Sequence, residues 1–164
     1  MKRYEGKKVV IIGGTRGMGL ATAKMLLDGG ARVVVTGRSK EGLESSQKEL
    51  GNDAIVVSSD ARSLTDLDAL ASRVKAEFDT LDLLFVNAGF STRAPLESIT
   101  EAIYDEMFNL NAKGPLFAVQ KFAPLLGPDR RDCGRDCRPL GNHLALLAAP
   151  PPDAGGPFAE SLTG

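Results

Sequence analysis

Lys7-Lys8-Val9-Val10-Ile11-Ile12-Gly13-Gly14-Thr15-Arg16-Gly17-Met18-Gly19 is the stretch whose reading decides the fold. The run up to Ile12 is β-branched and has no polar residue after Lys8, which suits a strand buried on both faces. It breaks directly into a glycine-rich turn. From Gly17 to Asp28 the pattern is helical, and it stops at Gly29-Gly30. Strand, glycine loop and helix in that order are the context a dinucleotide-binding loop needs. Gly13 would permit the tight turn, Gly17 would let the backbone approach a pyrophosphate, and Gly19 would let the helix pack on the strand. Thr15, Arg16 and Met18 complete the loop and join the cofactor-binding candidates. A pyrophosphate would sit at the helix N-terminus, where free N–H groups and the helix dipole favour an anion. The plainer alternative is a glycine-rich turn with no ligand.

Working outward, the pattern repeats. Arg32 to Thr36, Asp53 to Ser58 and Asp82 to Val86 are further apolar strand segments. Between them lie helical segments from Ser39 to Leu50 and from Ser63 to Phe78, the second carrying Leu64, Leu67, Leu70, Val74 and Phe78 at helical spacing. Ser63 with Asp66 resembles a capping box. A last helical segment, Ser98 to Leu126, is expected to bend near Gly114-Pro115. Strands alternating with helices predict parallel β-α-β units with right-handed crossovers. The fourth strand is expected at the sheet edge.

Three further motifs follow in order. Asp60-Ala61 comes after the third strand, Asn87-Ala88-Gly89 after the fourth, and Asn109-Leu110-Asn111-Ala112-Lys113-Gly114 lies within the last helix. With the Gly-x-x-x-Gly-x-Gly spacing of the first loop, residues Gly6 to Leu126 resemble the front half of the short-chain dehydrogenase/reductase family. Ile12 stands where that family often has Thr. The resemblance implies an α/β fold of the Rossmann type, a three-layer α/β/α sandwich with parallel strand order 3-2-1-4 and an incomplete C-terminal half. It implies that Asp60 contacts the adenine side of a dinucleotide, that Asn87-Ala88-Gly89 borders it, and that Asn111 is the catalytic asparagine. Each has a plainer reading: Asp60 as a turn or cap residue, Asn87-Ala88-Gly89 as a strand exit, Asn111 as a helix residue bonding backbone at a bend. The implied activity is hydride transfer between an NADP(H) cofactor and a small alcohol or carbonyl substrate. The family's dimer face includes the helix bearing Phe117, so a homo-oligomer is also implied.

Charge points to the cofactor. The carboxylate that would bind a ribose 2′-OH is expected about 20 residues after the loop. That region reads Val35-Thr36-Gly37-Arg38. Arg38 can pair bidentately with a 2′-phosphate, and Arg16 adds a second cation. NADP(H) is therefore favoured over NAD(H), unless Arg38 is simply a solvated surface residue.

The family's acid/base Tyr, with a Lys four residues on, has no match here. The two tyrosines are Tyr4 and Tyr104. Tyr4 and Lys8 fit Tyr-x-x-x-Lys as a string but precede the first strand, away from the strand ends. No catalytic Ser can be assigned either, so the chain is expected to lack turnover. Two rival readings are a nucleotide-binding module that is not an enzyme, and a fragment without function.

After Gly127 the text turns rich in Pro, Gly, Arg and Ala, with Pro150-Pro151-Pro152 and no strand or long amphipathic helix legible. Residues 1–126 are therefore read as the NADP(H)-binding domain and 127–164 as an atypical, disordered tail. Reread one base later, the codons of Asp129, Asp132, Cys133, Asp136 and Cys137 give mainly Ile, Thr, Val and Ala. That reading supplies a strand where a fifth belongs, and it leads to the expectation of a truncation or change of frame near Gly127. A genuinely divergent tail is the alternative, and the nucleotide sequence decides. Cys133, Cys137 and His143 lack zinc-site spacing, so no metal is expected. A net charge of −1 gives no pull toward nucleic acid. No apolar run of about 18 residues and no signal-peptide pattern is legible, so no membrane span is expected and the cytoplasm is the default.

Overall fold

The computed structural model describes residues 2–126 and the strand at 145–148. Apart from that strand, the expectations for the tail, its cysteines and its reading frame lie outside the described residues.

Four parallel strands form the centre: β1 (Lys8–Ile12), β2 (Arg32–Gly37), β3 (Ala54–Ser58) and β4 (Leu83–Val86). They are joined by α1 (Gly17–Asp28), α2 (Lys40–Leu50) and α3 (Leu64–Phe78). α4 (Glu101–Phe108) and α5 (Gly114–Phe122) follow β4. The strand order is β3-β2-β1-β4, as expected. Register aligns Ile12 with both Thr36 and Val86, and Gly37 with Ser58. The C-terminal ends of all four strands therefore finish level, and side chains from four different segments meet there.

The layers follow from the period of two in each strand. Val10, Ile12, Val34, Leu84 and Val86 point to one face, where Leu67, Leu70 and Val74 of α3 and Phe122 of α5 cover them. Val9, Ile11, Val33, Val35 and Phe85 point to the other, covered by Ala23 and Leu26 of α1 and Leu50 of α2. β1, β2 and β4 are buried on both faces, so their centres have no use for alternating polarity and read as apolar text, while β3 at the sheet edge keeps Ile55 and Val56 half-buried.

Helix ends carry their own chemistry. Ser39, Ser63 and Thr100 each accept a hydrogen bond from the backbone N–H three residues on, capping α2, α3 and α4. Ser63 and Asp66 make only half of a reciprocal box. The Asp66 carboxylate accepts from the Ser63 hydroxyl (2.8 Å) and from the Asp60 N–H (2.9 Å) rather than from the Ser63 N–H, which donates to the Asp60 carbonyl (2.9 Å).

The last helical segment is not continuous: it is interrupted by a π turn, Asn109–Lys113, which ends just before the Gly114-Pro115 step where a bend is expected. The Gly114 N–H donates to the Asn109 carbonyl, five residues back. Pro115 has no N–H to give and crowds the carbonyl four residues before it, and the wider turn takes up that mismatch. One expectation is corrected, that β4 lies at the sheet edge. β5 (Ala145–Ala148) pairs antiparallel with β4, Leu83 opposite Ala148 and Val86 opposite Ala145. No strand was legible in Ala-Leu-Leu-Ala, which has no β-branched residue. The unpaired N–H and C=O groups of β4, not local propensity, explain a strand at this position.

Candidate functional site: the cleft at the strand ends

β1 delivers its chain into the loop at the centre of the sheet's C-terminal edge. Gly13 has φ +85, and a Cβ there would lie 2.6 Å from the Ala88 nitrogen. Gly13 is therefore required twice, by its conformation and by the strand exit of β4 pressed against it. At Gly19 a Cβ would lie 2.2 Å from the Gly13 carbonyl oxygen, so the first turn of α1 can rest on the loop only as glycine. Gly17, the first residue of α1, has φ +55 and open space where a Cβ would point.

The N-terminus of α1 is bare. Arg16 provides no side-chain cap, and the first turn holds no acidic residue. The early N–H groups keep their capacity for an anion. Met18 is 68% exposed on the same turn.

Around this loop the strand ends enclose a cleft of about 400 Å³. Of the residues singled out from the sequence, Gly13, Thr15, Arg16, Arg38, Asp60, Ala61, Asn87, Ala88 and Gly89 line it. Gly17, Met18 and Gly19 belong to the start of α1 beside it. Asn111 stands behind the wall. Its Oδ1 accepts from the Phe90 N–H (3.0 Å), and its Nδ2 donates to the Phe90 carbonyl (2.7 Å). This clasp ties the π turn to the loop that carries Ala88 and Gly89. Asn87 does similar work: its Nδ2 donates to the Gly13 carbonyl (2.8 Å), while the Asn87 and Ala88 N–H groups both reach the Ile12 carbonyl (2.8 Å each).

Ile12, Thr36, Gly37, Ser39, Ser59, Phe90 and Leu110 also line the cleft and are not among the site residues singled out from the sequence. One signal could have found several of them. In a parallel sheet the ligand crevice lies beyond the carboxyl ends of the strands, so the residues closing β2 and β3 are candidates by position. Ser59 is 5% exposed, and its hydroxyl has no partner among the described residues. That hydroxyl is open to a ligand or to water.

The electrostatics divide the cleft. At the end of β2, the Arg16 Nη2 donates to the Ser39 Oγ (3.0 Å), and Arg38 is exposed beside them. At the end of β3, Arg62 wraps Asp60: its Nη2 donates to Oδ2 (2.6 Å), its Nε to Oδ1 (3.0 Å) and its backbone N–H to Oδ1 (3.0 Å). That guanidinium holds the Asp60 carboxyl below its ordinary range, and Asp60 in turn raises Arg62.

Comparison with known proteins agrees with this geometry. The family model for short chain dehydrogenases matches residues 7–135. Oxidoreductase asL5 of Sarocladium schorii is 39% identical over 126 residues, 77% of this chain and 51% of that protein. Cis-2,3-dihydrobiphenyl-2,3-diol dehydrogenase of Paraburkholderia xenovorans is 36% identical over 134 residues, 78% of this chain and 48% of that one. Galactitol 2-dehydrogenase of Agrobacterium fabrum is 33% identical over 118 residues, 72% and 46% of the two chains. A short-chain dehydrogenase/reductase variant of Serratia marcescens superposes with a TM-score of 0.70 at 27% identity, covering 76% of this chain and 53% of its own. The chain spans about half the length of the curated relatives it matches. A glycine loop, strand-end cleft and asparagine clasp on a parallel sheet, matched by the family model across most of the sequence, show that the chain belongs to the short-chain dehydrogenase family.

Proposed function

We propose that the cleft binds NADP(H), and that the binding serves hydride transfer between this cofactor and a small alcohol or carbonyl compound. The observation that carries the choice of cofactor is Arg38. It is exposed at the end of β2, lines the cleft, and makes no hydrogen bond or ion pair among the described residues. Arg16 and Ser39 stand beside it, and no carboxylate closes β2. A ribose 2′-phosphate would find two guanidinium groups there, while a 2′-OH would find no acidic acceptor.

The rest of the cleft fits the group. The uncapped start of α1 suits a pyrophosphate, and Ala88 and Gly89, which line the cleft, would border the bound dinucleotide. NADP(H) supplies or accepts the hydride, and this chain's residues orient it. Asn111 acts through Phe90, fixing the wall on which the nicotinamide end would rest.

The same residues support binding without turnover for the chain of 164 residues. Reduction of a carbonyl needs a proton donor at the developing alkoxide. Neither tyrosine reaches the cleft. Tyr4 packs on Gly29 at the opposite end of the sheet, and Tyr104 stacks on Phe108 on the surface of α4.

The test is a titration of NADPH and NADH by fluorescence. NADPH should bind more tightly, and Arg38→Ala should erase most of the difference. A charge-assisted pair to phosphate contributes roughly 1.5–3 kcal/mol, a tenfold to hundredfold preference. Equal affinities in the unmodified chain would overturn the choice of cofactor.

A further inference from the structure

Arg38 and Asp60 face the same cleft from neighbouring strand ends. β2 and β3 pair up to Gly37 and Ser58, and the Ser59 N–H continues to the Gly37 carbonyl (3.0 Å). The next residue on each side is Arg38 and Asp60. Opposite charges held this close attract, yet no hydrogen bond or ion pair joins them. Asp60 is engaged elsewhere. Both of its carboxylate oxygens take donors from Arg62, in a fork closed by the Arg62 backbone N–H. Arg62 is held from its far side by Glu106 of α4, whose Oε1 accepts from Nη1 (3.3 Å).

We infer that Arg62 is a positioning residue for recognition of the 2′-phosphate, because it occupies and neutralises Asp60 and so leaves Arg38 free for the phosphate. This deepens the NADP(H) reading and rests on it. Without Arg62, the Asp60 carboxylate would do two things. It would draw the Arg38 guanidinium into an ion pair, taking the fork geometry away from the phosphate. Once paired, it would also cancel the positive charge that Arg38 offers a dianionic group. Arg38 and Asp60 follow directly on the paired ends of β2 and β3 and line one cleft, which puts them within reach of this competition. Glu106 gives the arrangement its direction. It anchors Arg62 on the α4 side, so the guanidinium stays over Asp60 rather than swinging into the cleft itself.

The penalty falls on the phosphate, so it separates the two cofactors. NAD(H) carries no 2′-phosphate and should bind equally well whether or not Arg38 is captured. Any contact of Asp60 with the adenine ring is common to both cofactors and cancels in their ratio. A role confined to holding the fold would weaken both together.

The experiment measures dissociation constants of NADPH and NADH for the full chain and for Arg62→Ala, Asp60→Asn and the double variant, with circular dichroism melts to confirm folding. In Arg62→Ala the preference for NADPH should fall about fivefold, the scale of one exposed charge pair. It should return in the double variant, where no carboxylate is left to capture Arg38. Asp60→Asn alone should keep or raise the preference, so the idea stays open to refutation even if Arg62→Ala fails to fold. An unchanged ratio in folded Arg62→Ala, or a reduced ratio in Asp60→Asn, overturns the role of Arg62. If Arg38→Ala abolishes a preference that Arg62→Ala leaves intact, the NADP(H) reading stands and this inference alone fails. If the unmodified chain shows no preference, both fall.

Discussion

Asp82 shows how single residues brace the sheet at the end away from the cleft. It lies just before β4, and its carboxylate accepts from the Lys7 ammonium (2.9 Å) and the Lys8 backbone N–H (2.9 Å) at the start of β1. Burial pushes the Asp82 carboxyl up, but these donors outweigh it and hold the group below the ordinary range. Asp60 is depressed for a similar reason, by Arg62. A carboxyl depressed in the folded state lends stability that is fully present above its unfolded value, about 3.9 for Asp. That stability is lost as pH falls through the folded value. Asp82→Asn should therefore lower the melting temperature near neutral pH, with the gap to the unmodified chain narrowing as the pH falls below the ordinary carboxylate range and the native carboxyl takes its proton. A gap that keeps its size as the pH falls would show that lost packing, not charge, is responsible. At this scale the sequence is legible where one residue type alone can serve, as at Gly13 and Gly19. Which partner a flexible side chain chooses is not legible. Asp60 reads as an adenine contact or a turn residue, and nothing in the order of the letters says that Arg62 will fold back on it.

Elements are legible where burial leaves one solution. All four parallel strands fall within a residue or two of their expected ends because a short apolar run, bounded by glycine or polar residues and alternating with helical segments, reads as a strand of a parallel sheet. The segment after Ser98 is harder. Its apolar spacing is helical throughout, so periodicity cannot locate the π turn that the main chain forms before Pro115. The Ala145–Ala148 strand depends on the edge it joins, and that edge, Leu83–Val86, lies far earlier in the sequence. Gly114 is a test of how closely α5 and the cleft wall are fitted. A Cβ there would lie 2.6 Å from the Ala61 carbonyl oxygen. In an unencumbered helix, Gly→Ala stabilises by roughly 0.5–1 kcal/mol. Here Gly114→Ala should destabilise by about 1–3 kcal/mol, the usual penalty for forcing backbone apart in a packed interior. Urea denaturation followed by circular dichroism reads the sign directly. A gain in stability would mean that the Ala61 turn can yield, and that the contact does not fix the wall of the cleft.

For the whole molecule, the decisive relation is between the end of the sheet that holds the cleft and the residues able to donate a proton there. The cleft lies at the carboxyl ends of β1 to β4. Tyr4 sits beyond the opposite ends, its N–H bonded to the Gly29 carbonyl (2.7 Å) and its ring against the turn that enters β2. Lys8, its partner in the Tyr-x-x-x-Lys string, sends its ammonium to the Phe78 carbonyl (2.8 Å), also at that end. The string is legible in the sequence and so is its irrelevance, because a residue before the first strand of a parallel sheet enters on the wrong side. The 164-residue chain should therefore bind NADPH and yet show no measurable oxidation of NADPH with small ketone or aldehyde substrates. General acid assistance accounts for about 10²–10⁴-fold in rate, and holding the substrate against the nicotinamide supplies a further share of the barrier reduction. Asn111 offers neither, since its amide is committed to Phe90. The measurement is NADPH absorbance over time at saturating cofactor, beside the same assay on Tyr4→Phe. Turnover abolished by Tyr4→Phe would place the chemistry at the far end of the sheet and refute the cleft as the active site. Turnover unaffected by that change would refute the argument from missing proton donors while leaving the binding site in place.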